Sequence, residues 1–348
     1  MGAKISFPRI PLNKDKIVIV TGGNTGIGYE TANWIAMLGA TVIIACRSEH
    51  RATEAINRMK SEFQTEKEKG TEGVTHTEEL RVEFMELDLT SLKSTKAFIE
   101  KYKSSGRKLN VLVCNAGIAH VPLEYTDDGN EIMFQVNYLS HLLLTFELLP
   151  VMKASGDDSR IILVSSLLHE YHITPFSVDN ISAKQFSKDN FPRIKYYGNS
   201  KLYQVMQMYF MNRRLKGSNV TVSSLHPGTV KTEISRGYTD MGWLLTATRM
   251  VKGLMKTPFQ GAETSINAAI NPSYKGVRDV YFEDCKTANT NSDARNERFQ
   301  ESLLKYSIDC LNQYITDEIK NDWKPKEELT KDVYRTQNKT HIEKAKPV

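Results

Sequence analysis

Short apolar, β-branched runs alternate with helix-length stretches along most of this chain, and that alternation restricts its fold more than any other feature. The runs fall at 16–20, 41–45, 82–87, 109–114, 160–165, 220–225 and 279–282. Most are hydrophobic at nearly every position, not at every second one, as a parallel strand covered on both faces requires. Between them the periodicity predicts helices over 26–38, 50–63, 91–103, 130–152 and 196–215. Strand–helix alternation specifies right-handed crossovers, so the expected fold is α/β: a Rossmann-like doubly wound sheet of about seven mainly parallel strands with helices on both faces. Such a sheet takes its ligand at the carboxyl ends of its strands.

With 348 residues, 40% of them hydrophobic, the chain can bury one large core. The expected organisation is an N-terminal extension over 1–13, a single domain over 14–315 and a charged C-terminal tail over 316–348. Three regions depart from the strand–helix repeat. Residues 61–80 are charged and read as an enlarged surface connection, 235–259 read as an apolar flap or a packed helix, and the tail reads as loosely docked or disordered. The net charge is +5, from 46 Lys+Arg against 41 Asp+Glu, and the chain has no aromatic-interleaved basic stripe, so nucleic acid is not an expected partner. Cys46, Cys114, Cys285 and Cys310 lie far apart without metal-ligand spacing, which suits reduced thiols in the cytoplasm. The apolar stretch 132–152 is interrupted by Gln135, Asn137, His141 and Glu147, so neither a spanning helix nor a signal peptide is expected. Gly2 followed by Ser6 fits an N-acylation pattern, one route to peripheral membrane contact.

Directly after the first run comes Thr21-Gly22-Gly23-Asn24-Thr25-Gly26-Ile27-Gly28, which opens a helix. Glycines there allow a sharp turn and close approach of backbone amides to a pyrophosphate at the helix N-terminus, so a dinucleotide is the expected ligand. The spacing is G-x-x-x-G-x-G, not the commoner G-x-G-x-x-G. After the second run, where a carboxylate would accept from a ribose 2′-hydroxyl, the chain reads Ala45-Cys46-Arg47-Ser48. Arg47 offers a planar fork of donors suited to a 2′-phosphate, which favours NADP(H) over NAD(H). In Tyr197-Gly198-Asn199-Ser200-Lys201, Tyr197 and Lys201 are four apart and share one helix face. A neighbouring ammonium favours the phenolate, so the pair can serve as proton donor and acceptor near neutral pH.

Taken together, the glycine turn, Asn115-Ala116-Gly117 after the fourth strand, Ser166 after the fifth, and Tyr197 with Lys201 resemble the short-chain dehydrogenase/reductase family over roughly residues 14–315. Val-Ile-Ile-Ala-Cys-Arg at 42–47, Phe-Gln-Val-Asn-Tyr-Leu-Ser-His at 134–141, Val-Ser-Ser at 164–166 and His-Pro-Gly-Thr-Val at 226–230 are similar to the retinol dehydrogenase branch. Its relatives, the WW-domain-containing oxidoreductase and the X-linked dehydrogenase/reductase, carry the same likeness.

That resemblance implies a catalytic set of Asn137, Ser166, Tyr197 and Lys201. Ser166 would bond the substrate oxygen, Tyr197 would pass the proton, Lys201 would hold the nicotinamide ribose, and Asn137 would hold a relay water. It implies a cofactor set of Gly22, Asn24, Gly26, Ile27, Gly28, Arg47, Asp88, Asn115, Gly117, Tyr197, Lys201, Pro227, Gly228 and Thr232. Because Ser165 neighbours Ser166, the serine assignment can slip by one. Ser166 and Tyr197 are 31 positions apart, and the insertion between them carries His169, Tyr171, His172, Phe176 and Phe191, suited to wall an apolar pocket. The expected function is carbonyl–alcohol interconversion on a lipophilic small molecule such as a retinoid, steroid or isoprenoid, by a monomer or homodimer. The alternative is a catalytically silent cofactor-binding scaffold of the same fold.

Overall fold

A computed structural model describes residues 6–173, 176–230 and 255–330. Eight strands form one sheet in the order β3-β2-β1-β4-β5-β6-β7-β8. They are β1 Ile17–Thr21, β2 Thr41–Cys46, β3 Arg81–Glu86, β4 Val111–Cys114, β5 Ser159–Val164, β6 Val220–His226, β7 Tyr281–Glu283 and β8 Lys286–Ala288. All pair in parallel except β8, which returns antiparallel to β7. The winding reverses between β1 and β4, and the crevice at their carboxyl ends is where a doubly wound sheet takes its ligand.

Alternate residues of the strands feed two separate cores. Val18, Val20, Val42, Ile44, Val111 and Val113 face the layer that contains α1 (Gly26–Met37) and α2 (Glu49–Glu68). Ile19, Ile43, Leu112, Ile161 and Leu163 face the opposite layer, built by α3 (Leu92–Ser104), α4 (Ser140–Lys153) and α5 (Arg193–Arg214). Two further helices, α6 (Pro258–Ile270) and α7 (Glu297–Leu311), complete the first and second layers respectively. Each fully buried Val, Ile or Leu contributes about 1.5–3 kcal/mol, and β1, β2 and β4 carry such residues on both faces. The apolar stretch Ile132–Lys153 is long enough to cross a membrane by length and composition, but it is nearly all buried here as the central helix of the second layer.

Several elements differ from the sequence reading. The segment 130–152 is one helix as expected, Ile132–Lys153, but its first part is a short turn, Ile132–Phe134, and a π turn, Gln135–Leu139, that run directly into α4. Helix α2 continues to Glu68, so the connection expected at 61–80 is partly helical, with Phe63 and Val74 buried. An eighth strand exists because Asp284 and Cys285 both adopt positive φ (49° and 61°) between paired Glu283 and Lys286, a two-residue hairpin loop. Within the region read as a flap or a packed helix, the described part begins α6 through a capping box, Thr257 with Gln260, and Pro258 in its first turn. Residues 235–254 lie outside the described residues.

The first described residues and those that follow 316 both pack on the domain. Phe7 of the extension packs edge-on against Trp34 (5.6 Å between centroids) and Phe259 (6.3 Å). In the segment read as loosely docked or disordered, helix α8 (Asp317–Asp322) brings Trp323 into a stack on Phe146 with centroids 4.6 Å apart. Gly2 and residues 331–348 lie outside the described residues.

Candidate active site

The glycine turn leaves β1 with Gly22 at φ +66° and Gly26 at φ +58°, both in the left-handed region. A Cβ on Gly28 would lie 2.3 Å from the Gly22 carbonyl oxygen and 2.4 Å from Asn115 Nδ2, so only glycine fits. Thr25 precedes α1 without a side-chain cap, and the first turn holds no acidic residue, which leaves amides and helix dipole open to an anion. Asn24 and Ile27 lie partly exposed along this turn. These features fit a pyrophosphate.

At the end of β2, Arg47 is exposed, and its guanidinium has neither ion pair nor hydrogen bond among the described residues. Asp88, beyond β3, accepts through Oδ1 from the amide and hydroxyl of Thr90 (2.9 and 2.7 Å), while Ser91 caps α3. Asn115 is held by β1: its Nδ2 donates to the Thr21 carbonyl at 2.9 Å and its amide donates to Thr21 Oγ1 at 2.9 Å. A Cβ on Gly117 would stand 3.1 Å from Asn137 Oδ1 and 3.4 Å from Lys201 Nζ, so the chain passes between these two groups. Beyond β6, Gly228 has φ +83° and its amide donates to His226 Nδ1 at 3.1 Å. Lys256 Nζ donates to the Pro227 carbonyl at 3.3 Å and also pairs with Asp284. Thr232 lies outside the described residues.

Tyr197 and Lys201 occupy the first turns of α5, both buried. Lys201 Nζ sits 5.7 Å from the Tyr197 ring centroid and donates to the Val164 carbonyl (2.9 Å) and Gln204 Oε1 (3.1 Å). Burial brings the ammonium from its usual 10.5 down to about 7, opposed by the Cys114 thiol. Ser165 is buried and donates to the Lys201 carbonyl at 2.8 Å. Ser166 is partly exposed and accepts from the Leu168 amide at 3.2 Å, so it is Ser166 that stands at the rim. Asn137, fully buried in the π turn, donates through Nδ2 to Ile118 O and Ser200 Oγ (both 2.9 Å) and accepts from the Ile118 amide (2.8 Å).

The Lys201 shift carries a stability consequence. The unfolded lysine binds its proton up to about pH 10.4, the folded one only to about 7. Between these values the unfolded state holds more protons, so stability rises with pH. Wild type is expected to gain on Lys201→Met in the ligand-free protein as pH rises from 7 toward 10. Urea unfolding of both proteins at pH 7 and 9.5 checks this; a constant difference contradicts it.

The insertion between Ser166 and Tyr197 closes against the site. Ala183, Phe191, Tyr196 and Tyr197 form an apolar cluster with Ala119, Leu123 and Met133. A Cβ on Gly198 would lie 2.0 Å from the Tyr171 carbonyl oxygen, which shows how closely the insertion meets α5. Leu167 and Tyr171 remain exposed at its edge.

Four histidines to which the sequence reading gave no catalytic role lie around these groups. His120, at positive φ (59°), lies against Tyr197 with ring centroids 6.2 Å apart. His169 Nδ1 is 2.8 Å from the Ser166 carbonyl oxygen and 3.3 Å from Tyr281 Oη. His226 reaches the other side of Tyr281 (centroids 5.9 Å) and Glu283 (3.1 Å). His141 lies between Thr21 and Asn137. His141 and His226 lie within the recognised stretches 134–141 and 226–230 and His169 within the insertion, but no spacing in the sequence links any of the four to Tyr197 or Ser166.

A sequence profile of the short chain dehydrogenase family matches residues 16–183. Retinol dehydrogenase 14 of Homo sapiens is 41% identical over 273 residues, 78% of this chain and 79% of that one. Polyprenol dehydrogenase of Homo sapiens is 36% identical over 312 residues, 87% of each chain. L-sorbose reductase from Gluconobacter frateurii, solved with NADPH and L-sorbose, shares the fold: TM-score 0.58 at 18% identity, over 79% of this chain and 96% of that one. The chain belongs to the short-chain dehydrogenase/reductase family and is an oxidoreductase. Within that family it stands in the retinol dehydrogenase-like branch.

Proposed function

We propose that this enzyme interconverts a carbonyl and an alcohol on a lipophilic substrate with NADP(H), Tyr197 being the proton donor and acceptor. The observation that carries this reading is a phenol buried in an apolar cluster beside a buried lysine ammonium. Bound NADP(H) supplies or takes up the hydride. Ser166, at the rim beyond β5, orients the substrate oxygen through its hydroxyl. Tyr197 Oη gives it a proton in reduction and takes one in oxidation. Lys201 Nζ lowers the cost of the phenolate and holds the ribose, while Asn137 closes the relay behind it. Gly22, Gly26, Gly28 and the α1 amides hold the pyrophosphate, with Asn24 and Ile27 beside it. Asp88, Asn115 and Gly117 line the adenosine and ribose path, and Pro227-Gly228 frame the nicotinamide. A silent scaffold has no need of an ammonium buried at such expense, which favours the enzyme reading over it.

The names of the relatives, retinol and polyprenol dehydrogenases, support a retinoid or isoprenoid substrate class, as does the apolar wall from the insertion. A panel of retinal, steroid ketones and polyprenyl aldehydes, each with NADPH and NADH, tests it. Reduction of at least one with NADPH preferred is expected; reaction of small polar ketones alone overturns the lipophilic reading. Arg47→Ala is expected to weaken NADPH binding about tenfold to a hundredfold, the scale of a charged hydrogen bond, and to leave NADH binding unchanged. Titration by fluorescence checks it, and an unchanged NADPH Kd removes the 2′-phosphate assignment.

A further inference from the structure

We propose that His141 is a positioning residue whose imidazole holds the backbone carbonyl of Asn137 in place, from the side of the strand ends that carry the dinucleotide cradle. His141 is fully buried in the first turn of α4, one turn beyond Asn137, and a helical side chain leans back over the preceding turn. Its Nδ1 lies 3.1 Å from the Asn137 carbonyl oxygen and its Nε2 lies 2.9 Å from Thr21 Oγ1.

The partners fix the tautomer. A carbonyl oxygen can only accept, so Nδ1 carries the proton, and the buried ring stays neutral, which leaves Nε2 as the acceptor for the Thr21 hydroxyl proton. The Val113 carbonyl, at 3.4 Å, is the longer alternative for that proton. Thr21 Oγ1 in turn accepts the amides of Asn115 and Ala116, both at 2.9 Å. One continuous chain thus runs from the Asn115-Ala116 amides through the Thr21 hydroxyl and the imidazole to the Asn137 carbonyl. The Asn137 side chain is already committed to Ile118 and Ser200, so the imidazole is the link to this carbonyl from the cradle side. A buried, fully satisfied network of this kind holds one geometry.

The inference rests on the proposed roles of Asn137, Tyr197 and Lys201, and its test separates the two. An asparagine at 141 places an amide N–H where Nδ1–H lies, and a glutamine reaches the Nε2 position instead. His141→Asn is expected to keep kcat for NADPH-dependent reduction of the best panel carbonyl within about threefold. His141→Gln is expected to lose about tenfold to a hundredfold in kcat, the cost of a small misplacement, with the NADPH Kd unchanged. Hydrogen exchange on the ligand-free proteins gives the second readout. Protection is expected to fall over 134–141 in the glutamine variant and over 113–119 in the asparagine variant. Equal kcat in the two variants, or the same exchange pattern in both, overturns the inference. A Tyr197→Phe protein that still turns over overturns the reading of the reaction instead, while the exchange comparison still decides the link.

Discussion

Tyr197→Phe is expected to lower kcat by about a hundredfold to ten-thousandfold, the range of a lost general acid–base group, and to leave NADPH binding within about threefold. The ring is packed among Ala119, Met133, Ala183, Phe191 and Tyr196, so removing one oxygen changes the shape of the cluster little. What disappears is the group able to pass a proton to a carbonyl oxygen beside Ser166. Rapid-mixing measurements of NADPH oxidation, paired with a binding titration, read the two quantities separately. A variant with near wild-type kcat contradicts the proposed mechanism, and one that fails to bind NADPH places the hydroxyl in the cofactor site instead.

Gly28→Ala is expected to have the largest effect on the cradle. The added methyl would lie 2.3 Å from the Gly22 carbonyl oxygen and 2.4 Å from Asn115 Nδ2, inside any real contact distance. Both neighbours are fixed: Gly22 by its amide donating to the Ala45 carbonyl (2.8 Å), Asn115 by its bonds to Thr21. The turn must therefore shift, at an overpacking cost of about 1–3 kcal/mol, and the amides aimed at the pyrophosphate shift with it. We expect the NADPH Kd to rise about tenfold to a hundredfold, with a lower Tm. Calorimetric titration and thermal melting check this; unchanged affinity would mean that the pyrophosphate does not sit on this turn.

The sheet was legible because its physics is local. Runs such as Val18–Val20 and Val42–Ile44 are apolar at successive positions, and the structure shows why: neighbours along each strand feed opposite cores. Strand β8 was not legible. It is three residues long and carries Lys286, and its turn uses Asp284-Cys285 where Asn-Gly would announce a hairpin. Nor did the π turn at Gln135–Leu139 show itself within its helix, since no proline or glycine marks it. Helix α6 carried its own start signal in Thr257-Pro258-Phe259-Gln260, which the bulky residues before it overshadowed.

Tyr197 and Lys201 are linked in the sequence by a spacing of four on one helix, whereas Ser166, two residues beyond β5, was named through the family resemblance, with Ser165 as its neighbour. The contact of His141 with Thr21, 120 positions away, comes only from the packing of α4 on the sheet. The same holds for Tyr281, which meets His169 across 112 positions. Local pattern identifies the residues of a site that lie on one element; those that brace it from other elements need the fold.

The most direct test of the central claim is a crystal structure with NADPH and an unreactive carbonyl analogue of the preferred substrate. The account predicts Tyr197 Oη and Ser166 Oγ both at about 2.6–3.2 Å from the carbonyl oxygen, with Lys201 Nζ on the nicotinamide ribose. A carbonyl oxygen bound by other groups, with Tyr197 Oη turned from it, would contradict the account.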